Sequence, residues 1–250
     1  MSGHSKWSTI KRKKASADAK RGAVFTRLAR EISIAAREGG GDPDVNFTLR
    51  LAIDKAKAAN MPKENIERSI KRGTGEDKEG ADFVQTIYEG YAPHGVGLLI
   101  EVITDNRNRT VAELRHILDK MGGNMADAGA VSWQFKRAAY FALEAEGSDK
   151  DKIFDCAVDA GADDVLLEED VEIIGPVDAY KRISDCLHEA GYKPVESGLR
   201  MIPNTTITLD VEPTLKVMRL IEALEDIDDV KEVFSNLDVS DEAVAQLEAA

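Results

Sequence analysis

The chain has 250 residues, 43% of them hydrophobic and 32% charged, with 33 Lys+Arg against 46 Asp+Glu. That length fits two or three domains with real cores rather than one small module. No apolar run approaches the ~18 residues a helical membrane span needs, and the basic N-terminus lacks the apolar stretch of a secretory signal.

Ser2 stands where myristoylation needs glycine. Cys156 and Cys186 lie far apart with no second pair, which predicts neither a disulfide framework nor a zinc site and favours a reducing, cytoplasmic location. The charge is unevenly distributed. Residues 1–75 carry 17 Lys+Arg and 8 Asp+Glu, whereas the remainder carries 16 and 38. A basic end on an acidic protein points to a polyanion, as nucleic acid or ribosome.

From Ala17 to Arg37, Val24, Phe25, Leu28, Ile32, Ala35 and Ala36 recur at helical spacing, with Lys20, Arg27, Arg30 and Arg37 on the opposite side. Gly39 to Gly41 stop that helix. Asp42-Pro43 is the expected cap of a second helix, which buries Leu49, Ile53 and Ala56 and ends near Asn60. Pro62 opens a third, with Ile66 and Ile70 inward, Arg68, Lys71 and Arg72 toward solvent, and Gly73 at its end. The polar stretch at 74–81 reads as a linker that leaves this helical domain free to move.

The period then changes to that of strands. "FVQTIYEGYAP" and "HGVGLLIEVITD" flank a Pro93-His94-Gly95 turn, a helix runs from about Arg109 to Met121, and "AVSWQF" returns to strand. Next come the strand "AAYFALE", a helix capped by Ser148, the strands "DDVLLEE" and "VEIIG", a second helix from Pro176, and the strand "KPVESGLRMIP". This βαββαβ order is that of the ferredoxin-like fold. "NTTITLD", a helix from Pro213 to about Glu225 and "VKEVFSN" resume the earlier style. The expected fold class is α+β and multidomain. A basic three-helix bundle covers 1–78, a discontinuous α/β domain covers 79–136 plus 204–250, and an inserted ferredoxin-like domain covers 137–203.

No catalytic constellation is evident. His4, His94, His116 and His188 have no metal-ligand spacing, and neither cysteine has a partner histidine nearby. Glu168, Glu169, Asp170 and Glu172 read as a solvated turn rather than a cation site. The chain is therefore expected to be no enzyme and to use no cofactor. Arg107 and Arg109 sit in a strand-to-helix loop, suited either to a nucleic-acid phosphate or to pairing with nearby carboxylates while Asp105 or Asn108 caps the helix. The glycine-rich "MGGNMADAGAVSW" reads as turn chemistry.

"GHSKWSTIKRKKASADAKRG", "FTRLAREI", "RLAIDKAKAANMPKENIERSIKRG", "YEGYAPHGVGLLIEVITDNRNRT" and "GGNMADAGAVSWQF" together resemble the YebC/PmpR family, in order from Gly3 to Phe135. The resemblance implies the same three-domain plan and no enzyme activity. It implies a DNA-binding transcriptional regulator, or alternatively a ribosome-associated translation factor, as the mitochondrial relatives are translational activators. The candidate nucleic-acid contacts are Lys6, Lys11, Arg12, Lys13, Lys14, Lys20 and Arg21, then Arg27 and Arg30 on the first helix, and Arg107 and Arg109. Trp7 is a candidate for stacking on a base, with packing against the bundle as its competing use. No membrane or small-molecule substrate is expected.

Overall fold

A computed structural model describes residues 21–77, 83–144, 148–167 and 170–248. It is a mixed α+β molecule with antiparallel sheets. Three helices come first: α1 (Arg21–Gly39), α2 (Phe47–Ala58) and α3 (Lys63–Gly73). Leu28, Ile32, Ala35 and Ala36 of α1 pack on Leu49, Ile53 and Ala56 of α2 and on Ile66 of α3. Val24 is not part of this core and stays exposed. Gly40 ends α1 with φ +86°, a backbone conformation that costs glycine no Cβ clash.

The cap of α2 differs from expectation. Residues 42–45 form a turn, and the buried Asn46 is the cap. Its Oδ1 accepts from Leu49 N at 3.1 Å, while its Nδ2 donates to the carbonyls of Ala35 at 2.7 Å and Gly40 at 2.8 Å. One amide thus satisfies the end of α1 and the start of α2, which a short acceptor at Asp42 could not do from four residues away.

The central sheet has the order β3-β1-β2-β9, from β1 (Val84–Tyr91), β2 (Gly97–Thr104), β3 (Asn124–Ala126) and β9 (Val230–Ser235). Strand β2 is buried along its length except at Glu101, which is half-buried. One face of it, Leu98, Ile100 and Val102, packs on α4 (Arg107–Lys120) and α7 (Val211–Glu225). On the other face, Leu99 meets Val131, Phe135 and Phe234, and Ile103 meets Phe83 and Ile34 of α1. Burial on both faces is why "GLLIEVIT" is a continuous apolar run rather than an alternating one.

The second sheet combines β4 (Phe135–Glu144), β5 (Asp164–Leu167), β6 (Asp170–Gly175) and β7 (Glu196–Pro203) in the order β5-β6-β4-β7, with every pairing antiparallel. Helices α5 (Lys150–Asp159) and α6 (Tyr180–Glu189) cover one face through Ile153, Ala157, Ile183 and Leu187. A short parallel pair, β8 (Ile207–Thr208) with β10 (Leu237–Asp238), and a final helix α8 (Asp241–Glu248) complete the described elements.

Several expectations are corrected. Residues 132–134 form a 3-10 turn, so β4 begins only at Phe135. Asp149, not Ser148, caps α5 by accepting from Lys152 N, while the Ser148 hydroxyl turns back to the Glu144 carbonyl. Helix α4 starts at Arg107 under an Asn106 cap, so neither Asp105 nor Asn108 serves. Glu172 is fully buried rather than part of a solvated turn; Glu168 and Glu169 lie outside the described residues. Cys156 and Cys186 are joined as a disulfide. Their separation of 30 residues conceals that α5 and α6 lie side by side.

The bundle is also not free of the rest. Arg27 Nη2 donates to the Glu225 carbonyl at 2.8 Å and Arg37 Nη1 to the Phe83 carbonyl at 2.7 Å. The Arg30 guanidinium lies 5.4 Å from the Phe83 ring centroid, and Phe47 of α2 meets Tyr180 of α6 edge-on at 5.1 Å. These contacts hold the bundle against both sheets' layers, despite the polar linker.

Candidate nucleic-acid interface

Seven of the expected contacts, Lys6, Trp7, Lys11, Arg12, Lys13, Lys14 and Lys20, lie outside the described residues. Arg21 opens α1 with only its backbone described. The chain of α1 runs directly on from that basic stretch, so the N-terminal end of the helix marks where it joins the fold. A shallow cleft lies there between α1 and α3, lined by Phe25, Thr26, Ala29, Asn65, Arg68 and Arg72. Arg68 and Lys71 of α3 are exposed and Arg72 is half-buried. Arg68 and Arg72, four residues apart, share one helix face. That spacing was a usable signal for adding them to the candidate contacts.

The other four expected contacts divide. Arg107 is exposed in the first turn of α4. Arg27, Arg30 and Arg109 are turned to their own chain, and two of them converge on one carboxylate. Asp229, in the turn between α7 and β9, is only 3% exposed. Its Oδ1 accepts from Arg30 Nη1 at 2.9 Å. Its Oδ2 accepts from Arg109 Nη2 at 2.7 Å, Thr110 Oγ1 at 2.7 Å and Thr104 Oγ1 at 2.9 Å. Arg109 also reaches Asp105 at 2.9 Å. The carboxylate pairing that competed with phosphate binding for Arg109 is thus the arrangement found, although the side chain remains 44% exposed.

The electrostatics follow from these bonds. Burial alone would raise the Asp229 pKa, but hydrogen bonds from Arg109, Thr110 and Thr104, with the Arg109 charge, outweigh it and hold the carboxyl below its ordinary value. Hydrogen bonding to Asp229 and Asp105 raises the Arg109 pKa further, so its charge is fixed. Nothing in the sequence around Asp229, in "EDIDDVKE", distinguishes it from its acidic neighbours; only the fold brings it beneath two arginines 120 and 199 residues away.

A second buried carboxylate shapes the glycine-rich loop. Glu89 of β1, 8% exposed, accepts from Gly129 N at 2.7 Å, Val131 N at 2.6 Å and Ser132 N at 2.9 Å. Burial would raise its pKa, and the three backbone donors together pull it below the ordinary value. Among the described residues, no group of three or more His, Cys, Asp or Glu is placed to hold a metal ion. No described helix is long and apolar enough to cross a membrane.

Comparison with known proteins matches nearly the whole chain. A family model described as the TACO1/YebC protein N-terminal domain matches residues 5–76, and one described as the TACO1/YebC second and third domain matches 83–237. A "Probable transcriptional regulatory protein" of Acidithiobacillus ferrooxidans is 54% identical over 250 residues, covering 100% of this chain and 99% of the relative. One of the same name from Geotalea uraniireducens is 47% identical over 248 residues, covering 99% and 100%. Among solved structures, a conserved hypothetical protein from Aquifex aeolicus superposes with a TM-score of 0.82 at 41% identity, over 90% of this chain and 93% of the other.

Proposed function

The chain belongs to the TACO1/YebC family, and from that premise we propose that it is a non-enzymatic, DNA-binding regulator of transcription. In this reading the basic helical bundle (1–78) is the contact domain. It is carried by a discontinuous α/β domain (79–136 plus 204–250) with an inserted ferredoxin-like domain (137–203). The observation that carries the proposal is the charge division, 17 Lys+Arg against 8 Asp+Glu up to residue 75 and 16 against 38 beyond it. The names of the relatives agree with it.

Lys6, Lys11, Arg12, Lys13, Lys14, Lys20 and Arg21 neutralise phosphates, with Arg68 and Arg72 extending the positive surface along α3. Such contacts position a protein on a duplex and carry no base information. The acidic remainder is repelled by the same polyanion, so the molecule approaches with its basic end first.

The test compares the full chain's affinity for duplex DNA from promoters it regulates with that for random duplex of equal length, at one stated salt concentration. Tighter promoter binding is the expected outcome. Equal affinity for all duplexes, together with co-sedimentation with ribosomes, overturns the transcriptional reading in favour of a translation factor.

A further inference from the structure

The loop before β4 carries an aromatic side chain that the charge argument does not use. Trp133 is 71% exposed, yet the backbone around it is held firmly. Glu89 fixes residues 129, 131 and 132 from below, as described. The Tyr91 hydroxyl donates to the Ala130 carbonyl at 3.0 Å. On the other side, Asn204 Nδ2 donates to the Trp133 carbonyl at 3.1 Å and Asn204 N to the Gln134 carbonyl at 2.7 Å. The Gln134 side chain accepts from Asn236 Nδ2 at 2.8 Å, and Asn236 Oδ1 accepts in turn from Gly97 N of β2 at 2.8 Å. A large ring left in water on so constrained a backbone is ready to bind without further ordering of the loop.

The chemistry of the ring narrows what it binds. Its only polar atom, Nε1, already donates to the Ala130 carbonyl at 2.9 Å, so what it offers a partner is its π-face. Among the described residues from 88 to 153 it is the only large apolar side chain left exposed. An aromatic anchor for a protein partner normally sits inside a wider apolar patch that excludes water around it. Here the exposed neighbours along the chain are Asp127, Ala128, Gly129, Lys136 and Arg137, none of them large and apolar, and Asn204 lies alongside. Lys136 is half-exposed and only loosely paired, 3.7 Å from Asp163. One free aromatic face ahead of a strand whose first cations, Lys136 and Arg137, lie on opposite faces is a minimal platform for a stacked base, with a phosphate within reach of one of them.

We propose that Trp133, on its Glu89-braced loop, is a stacking site for an unpaired base of single-stranded nucleic acid, separate from the basic N-terminal contact. The site deepens the reading of the chain as a nucleic-acid binder but addresses a different substrate. Bases within a duplex are already stacked and present no free face to the ring.

The test measures binding of the full chain to a labelled single strand of about 12 nucleotides and, separately, to a blunt duplex, across a salt series. Trp133→Ala is expected to weaken single-strand binding by roughly 5- to 100-fold and to leave duplex binding unchanged. Trp133→Phe, which keeps an aromatic face, retains most of the single-strand affinity. The slope of log affinity against log salt stays the same in both variants, because stacking releases no counterions. Equal single-strand affinity of Trp133→Ala and the unaltered chain overturns the proposal. Failure of the duplex-binding function is read independently, from the promoter comparison.

Discussion

Asp229 shows what a single buried carboxylate does when its partners come from distant segments. Arg30 belongs to the bundle, Thr104 to β2, and Arg109 and Thr110 to α4, and all four donate to its two oxygens. A carboxylate in that position is stabilised only while ionised. Its pKa in the folded chain lies below the ordinary value. Its contribution is therefore complete above the unfolded value of about 4 and is lost as pH falls through the lower folded value. Asp229→Asn preserves the shape but removes the buried charge that Arg30 and Arg109 share, leaving Arg109 its ion pair with Asp105. We expect it to lower stability at neutral pH by about 1–3 kcal/mol and to flatten the decline of stability below about pH 4. Urea denaturation of both proteins across pH 3–7 measures this. An unchanged acid limb in Asp229→Asn would mean that other carboxylates carry the acid sensitivity.

Helices α1 and α3 cross closely enough that Gly73 must lack a side chain. A Cβ there would fall well inside contact distance of the Ser33 carbonyl oxygen and 2.7 Å from the Ala36 Cβ. Both are parts of α1 that cannot swing aside, so Gly73→Ala should destabilise the bundle by about 1–3 kcal/mol, against the usual gain of alanine over glycine at a helix end. A shift of the denaturant midpoint to lower urea checks it; an equal or higher midpoint would show that the two helices can separate. In the sequence Gly73 reads simply as a helix stop, and its packing role has no local signal. The same division runs through the other elements. The amphipathic period of α1, α2 and α3, the unbroken apolar run of β2 and the βαββαβ order of the second sheet follow from local pattern, because each needs only its own residues and a buried face. The Asn46 cap, the Cys156–Cys186 pairing and the Asp229 and Glu89 networks depend on partners brought from elsewhere in the chain, and sequence spacing does not encode them. Exposure of Trp133 was hidden for a related reason. An apolar residue inside the strand-like stretch "AVSWQF" is ordinarily core, and only the 3-10 turn at 132–134 swings it out.

At the scale of the whole molecule, docking of the bundle redistributes the positive charge available to a polyanion. Arg27 and Arg30 are turned to the Glu225 carbonyl and Asp229, and Arg109 shares that same carboxylate. A phosphate approaching Arg109 must therefore compete with an ion pair already formed to a buried carboxylate. The opening stretch carries the densest run of cations in the sequence, with Lys11, Arg12, Lys13 and Lys14 four in a row. Each phosphate neutralised on duplex DNA contributes about −0.9 to the slope of log affinity against log salt. Replacing these four with alanine should flatten that slope by up to roughly 3–4 units, and by similar amounts on duplexes of different sequence, since phosphate contacts do not read bases. Replacing Arg107 and Arg109 instead should change the slope by no more than about 1 unit, that of the exposed Arg107 alone, while lowering stability through loss of the Arg109–Asp229 bond. If the pair flattens the slope and the quartet leaves it intact, the polyanion sits on α4 rather than on the N-terminal stretch. The Asp229 pair would then have to open on binding, releasing Arg109 for phosphate.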